Sequence, residues 1–260
     1  MFNDGHDSLL NIQTLKSMGN HLKSLIIGIA IVLTALIFSL TIINLSKQRN
    51  AIYVTGLGSK DFTSDLIVWN GTFHRKSMVL KEAYAALDAD RESIKTYLVG
   101  KGITARELIF SAVDIQKEFD EDYDDYGNKK RSTFTGYRLT QQVQIKSGQV
   151  DQVEAISRQV SELINSGIEF YSQAPEYYYT KLAELKLEMI SEATKDANER
   201  AVRIATQAGS AVGNLKSADM GVFQITAQNS SEDYSWGGSF NTSSKDKTAS
   251  ITVKLSYETE

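Results

Sequence analysis

ATKDANERAVRIATQAGSAVG, residues 193–213, carries a small residue at every fourth position: Ala193, Ala197, Ala201, Ala205, Gly209 and Gly213. A four-residue step overshoots one helical turn by about 40°, so the stripe winds slowly round one side of a helix. Small side chains there let a sheet or a second helix come close. Lys195, Glu199 and Arg203 follow the same step and make an exposed charge ladder. Leu182, Leu185 and Met189 extend the apolar face towards the N-terminus. Pro175, the one proline, suits a first helical turn, where its missing N–H has no intrahelical partner anyway. The reading is a helix over about 175–211. Its small face packs closely inside the domain or, alternatively, forms a subunit interface through Ala193, Ala197, Ala201 and Ala205.

Working outward, residues 248–257 (TASITVKLSY) set Ala249, Ile251, Val253, Leu255 and Tyr257 in alternation with Thr, Ser and Lys, the period of a half-buried strand. Residues 219–228 read as a strand. The polar stretch 229–247 between them holds Tyr234, Trp236 and Phe240, and aromatics on such a loop are candidate contact residues.

Upstream, residues 51–59 (AIYVTGLGS) read as a strand ended by a turn at Gly56 and Gly58. Half a dinucleotide fingerprint is present, but the third glycine and the following helix are missing, so no phosphate loop is read. Residues 66–76 form a second strand, with Ile67, Trp69, Gly71 and Phe73 on one face. His74 lies on the other face; with no carboxylate or second histidine nearby in sequence, it reads as a surface or hydrogen-bonded residue. Residues 77–100 read as a helix, 108–119 as strand-like and 137–146 as a strand. The acidic stretch 118–125 places Asp120, Asp122 and Asp124 like the first alternate ligands of an EF-hand. Asp125 then stands where glycine is required and Arg131 where the bidentate Glu is required. A solvated hairpin loop is the reading, with those three aspartates a weak cation candidate. Asp151 and Glu154 form a capping-box pattern before a helix with Val153, Ile156, Val160, Leu163 and Ile164 on its apolar stripe. Residues 168–171 read as a short strand.

The N-terminal region differs in kind. Residues 24–46 (SLIIGIAIVLTALIFSLTIINLS) lack any charge between Lys23 and Lys47. As a helix they would run about 35 Å, enough to cross a hydrocarbon core of about 30 Å. No small-x-small cleavage pattern follows, so they read as an uncleaved signal-anchor. The division is a tail (1–23), a transmembrane anchor (24–46) and an exported domain (47–260). Lysines and arginine flank the anchor equally, so orientation rests on the short tail staying in the cytoplasm. The domain then lies on the periplasmic side of the inner membrane.

The formal net charge is −4, and there is no cysteine. No basic stripe suggests nucleic-acid binding, and disulfides, thiolate nucleophiles and Cys-bound zinc are excluded. No cofactor motif is present.

The order and spacing of Ile52, Val54, Gly56, Gly58, Ser64-Asp65, Ala83, Gly102-Ile103, Gly136-Tyr137, Asp151, Ile168, Phe170, the alanine helix, Gly209, Gly213 and the terminal strand resemble the SIMPL-domain family, YggE-like proteins of bacterial envelopes. Ser64 stands where that family usually has proline, and Asp246-Lys247-Thr248 where it often has Pro-Gly-Glu. The resemblance implies an exported α+β domain, often oligomeric and in some members linked to stress tolerance, with no established catalytic residues to carry over.

The fold expected is therefore α+β, mostly antiparallel sheet with long helices on one face, behind one transmembrane helix. The function expected is a membrane-anchored, non-catalytic interaction or scaffold domain that self-assembles, with other envelope proteins as further candidate partners. The alternatives are a carboxylate-based envelope hydrolase and a cation- or ligand-binding sensor acting through residues 118–125.

Overall fold

The computed structural model describes residues 27–42, 51–232 and 235–259. It is an α+β protein with two antiparallel-rich sheets. Helix α1 (27–42) precedes β1 (Ala51–Thr63), β2 (Leu66–Ser77), α2 (Leu80–Gly100), β3 (Leu108–Phe110), β4 (Asp114–Tyr123) and β5 (Lys129–Ser147). Then follow α3 (Val150–Gln159), a 3₁₀ turn (Val160–Ser166), β6 (Phe170–Ser172), β7 (Glu176–Tyr178) and α4 (Leu182–Gln207). The chain closes with β8 (Val212–Met220), β9 (Gln224–Ala227), β10 (Ser239–Phe240) and β11 (Asp246–Thr259).

One sheet runs β3-β5-β2-β6, with β4 also on β5 and β7 also on β2; the other runs β1-β11-β9-β10, with β8 also on β11. The chain divides into two compact units. Among the described residues, one comprises 55–197, 219–232 and 235–254; the other holds 27–42, 51–54, 198–218 and 255–259. In the second unit Val54, Ala201, Ala205 and Leu255 are buried.

The core of the larger unit lies on the six-stranded sheet. Ile67, Trp69, Gly71 and Phe73 point to one face of β2, and Leu139, Val143 and Ile145 to the same side of β5. They meet Ala83, Leu87, Ile94 and Leu98 of α2 and Val153 and Ile156 of α3. Gly71 is required because the Phe170 ring covers it: a Cβ there would lie 1.9 Å from the ring. A two-pronged ion pair crosses the sheet–helix boundary. Arg75 donates through Nε (2.5 Å) and Nη2 (2.8 Å) to the buried Asp90, and Nη2 also donates to the Gly167 carbonyl.

The alanine stripe is filled from within the chain. Ala193 and Ala197 are fully buried, and the backbone of β1 lies directly on them. A Cβ on Gly56 would sit 2.0 Å from the Ala193 carbonyl oxygen, and one on Gly58 2.4 Å from that of Met189. Above them the Leu57 N–H donates to Asp196 on the helix at 2.9 Å. Small residues on both partners let a strand approach a helix at backbone distance, burying two surfaces without large side chains. Thus Gly56 and Gly58 do not end a strand; β1 continues to Thr63. The subunit-interface reading of Ala193, Ala197, Ala201 and Ala205 gives way, because all four are already buried in this chain.

Other boundaries also move. Pro175 precedes β7, and the long helix begins at Leu182. Residues 219–228 divide into the end of β8 and β9. Asp151 and Glu154 form no capping box: the N-cap is Gln149 and makes no side-chain cap bond. Of the expected anchor, residues 24–26 and 43–46 lie outside the described residues. Among the described residues no helix is long and apolar enough to cross a membrane.

Candidate functional site

Three places in the larger unit combine exposure with a built framework. The first is the hairpin β4–β5. Beyond the Ser77↔Tyr137 pair, where β2 leaves β5, the two strands continue as a ribbon paired from Glu118↔Gly136 to Tyr123↔Lys129. Most of its residues are exposed, with Glu118, Phe134 and Thr135 half-buried and Gly136 buried at its base. Residues 118–125, expected as a loop, are therefore mostly strand. Polar side chains on both faces hid the alternation that would have marked it.

Charge and rings hold this arm. Glu118 accepts from Lys76 (2.5 Å) and from Arg138, and Glu121 accepts from Lys129. Phe119, Phe134 and Tyr137 stack edge-on at 5.7 and 5.1 Å. Asp124 closes the turn, accepting from the N–H groups of Tyr126 (3.0 Å) and Asn128 (2.8 Å). The bonds from Lys76 and Arg138 hold Glu118 below the ordinary carboxylate range, as Lys129 and Tyr123 do for Glu121 and the Asn128 and Tyr126 donors do for Asp124. Carboxylates so placed stay ionised at neutral pH and suit pairing, whereas a general acid needs a raised pKa. Asp122 stands opposite Arg131 and Asp120 opposite Thr133, while Asp124 serves the turn. Among the described residues no group of three or more His, Asp or Glu is gathered as a metal ion requires.

The second place is the aromatic loop. Gln224, buried in β9, ties it down: its Nε2 donates to the Ser235 carbonyl (2.7 Å), and its Oε1 accepts from the N–H groups of Ser235 (3.2 Å) and Ser239 (2.9 Å) and from the Ser239 hydroxyl (2.6 Å). Trp236 stands on this clamped base with its side chain 100% exposed. Beneath lies an open groove of about 530 Å³ between Leu57, Val222, Ile251, Thr252 and Lys254. Phe240 has another use: its ring lies 6.4 Å from Tyr178 and 5.6 Å from Lys247 Nζ. Tyr234 lies outside the described residues. The sequence reading found Trp236 but missed Leu57 and Lys254, whose one signal was their place on the polar side of strands, and Val222, which lies in the link between β8 and β9.

The third is the junction around Lys245 and Lys247. Lys245 bridges Asp151 (2.9 Å) and Glu154 (3.3 Å) at the start of α3, and these bonds raise its pKa. A recess of about 410 Å³ beside it is lined by Ser64, whose buried hydroxyl has no hydrogen-bond partner. The carboxylates already there compensate the lysine. Lys247 is buried, donates to the Tyr177 carbonyl at 2.5 Å, and burial lowers its pKa to about 8. His74 bonds Glu169 at 3.3 Å and stacks on Tyr171.

No curated protein matches the chain. The family model SIMPL, described as a protein of unknown function (DUF541), matches residues 52–257, which among the described residues takes in every helix after α1 and all the strands but the first residue of β1 and the last two of β11. The chain belongs to the SIMPL family.

Proposed function

We propose that this chain is a membrane-anchored, extracytoplasmic interaction domain that acts by self-assembly or by holding other envelope proteins, without chemistry of its own. The observation that carries the reading is the β4–β5 arm. An isolated two-stranded ribbon is marginal in water, yet this one is secured along its length by cross-strand ion pairs, a ring cluster and a capped turn. It presents Phe119, Tyr123 and Tyr126 to solvent, Tyr126 at 90% exposure. Order and exposed aromatics at a projecting tip suit contact with another protein.

Anchoring is supported by α1. Ile27, Ile31, Leu33, Ile37, Phe38 and Leu40 are all more than half exposed, a surface that lipid would satisfy and water would not.

The test is multi-angle light scattering of the full-length chain, extracted in mild detergent, against a variant carrying Phe119→Ser, Tyr123→Ser and Tyr126→Ser. The native chain is expected above monomer mass and the variant nearer to it. A native chain that stays monomeric at high concentration and retains no envelope protein on cross-linking counts against the reading.

A further inference from the structure

The Trp236 groove lies on the face of the β1–β11 sheet turned away from α4. Gly56 and Gly58 face the helix, so Leu57 between them faces the other way. Leu57 and Val222 are about half exposed there, and Trp236 more so. No side chain from the described residues covers Trp236. The Gln224 clamp prevents the loop from folding its tryptophan back, since four hydrogen bonds fix the segment on either side of it. Lys254 lines the groove and puts a cation at its rim.

A tryptophan held outward beside aliphatic side chains and a lysine is the composition of a surface that rests at the headgroup level. The ring enters the interface, and the lysine stays with the phosphates. Chain length allows it. Leu57 is the eleventh residue after Ser46, the end of the apolar run. Fully extended, that length of chain reaches about 40 Å, so the groove is confined close to any bilayer that holds the run.

We infer that the groove around Trp236, Leu57 and Val222, with Lys254 at its rim, seats on the bilayer surface and lays the domain against the membrane. This rests on the anchoring proposed above.

The test uses the full-length chain reconstituted in vesicles of mixed zwitterionic and anionic lipid, some with bromine high on the acyl chains. The protein has two tryptophans. Trp69 is fully buried, so subtracting the emission of Trp236→Phe isolates Trp236. Flotation comes first: protein that does not float with the vesicles refutes the anchor. For protein that floats, the expected result is loss of most Trp236 emission in brominated vesicles and protection from acrylamide in the water. Emission untouched by bromine overturns the inference and leaves the anchor standing, whether acrylamide reaches the ring or a second protein shields it.

Discussion

Gly56 shows how much one missing carbon can carry. Its Cβ would meet backbone, not a side chain that could swing aside. Gly56→Ala must therefore push β1 off α4, and overpacking of this kind costs about 3 kcal/mol or more. Urea unfolding should show the midpoint fall without a change of slope, while Thr55→Ala, on the exposed side, leaves it nearly unchanged. The helical half of this contact was legible, because small residues at a four-residue step are a local signal. The strand half was not: nothing local says that a glycine is matched to an alanine more than 130 residues away.

Lys247 gives a second prediction at this scale. Burial lowers its pKa from 10.5 to about 8, so between those values the unfolded chain binds the proton that the folded chain has released. The lysine's contribution to stability is therefore least favourable below pH 8 and improves as pH rises to 10.5. Compared with Lys247→Met, the native protein should gain on the order of 3 kcal/mol across that window. Unfolding curves for both proteins at pH 7.5 and 10 would show a widening difference in favour of the native chain; a constant difference would mean that the ammonium is well solvated.

Among the elements, the β4–β5 arm should be separable from the body it grows from. Asp124→Ala removes the acceptor for two turn N–H groups and loosens the tip by about 1–2 kcal/mol. Hydrogen exchange should quicken in residues 119–134 and stay unchanged in β2 and α2. At the arm's base, Glu118 is held ionised by Lys76 and Arg138. That pairing is present above the ordinary carboxylate pKa of about 4.3 and fades as pH falls through the lowered value, so exchange at the base should rise only on strong acidification. The strands of the body were readable because one face is apolar. The arm was not, since both faces meet water, and β8 was missed for the same reason: all but its first two residues are exposed.

For the whole molecule, the prediction concerns attachment. The full chain should stay in the membrane fraction after washing with alkaline carbonate and leave it only with detergent; release by carbonate would remove the anchor from the account. The α+β class followed from periodicity, as did β2, α2, α3 and β11, whereas β7, β8 and the arm did not. The groove by Trp236 did not, because it is assembled from segments distant in sequence and clamped by the single amide of Gln224.

The outer border of β4 has a further consequence. Among the described residues its backbone pairs only with β5, leaving a long row of amides and carbonyls open along a strand bearing Asp114, Glu118, Asp120, Glu121 and Asp122. Two copies meeting border to border would bring like charges face to face at strand spacing, about 4.8 Å. The arm can thus be displayed densely without seeding endless cross-β fibres, and acid that neutralises those side chains should be the condition under which such fibres first grow.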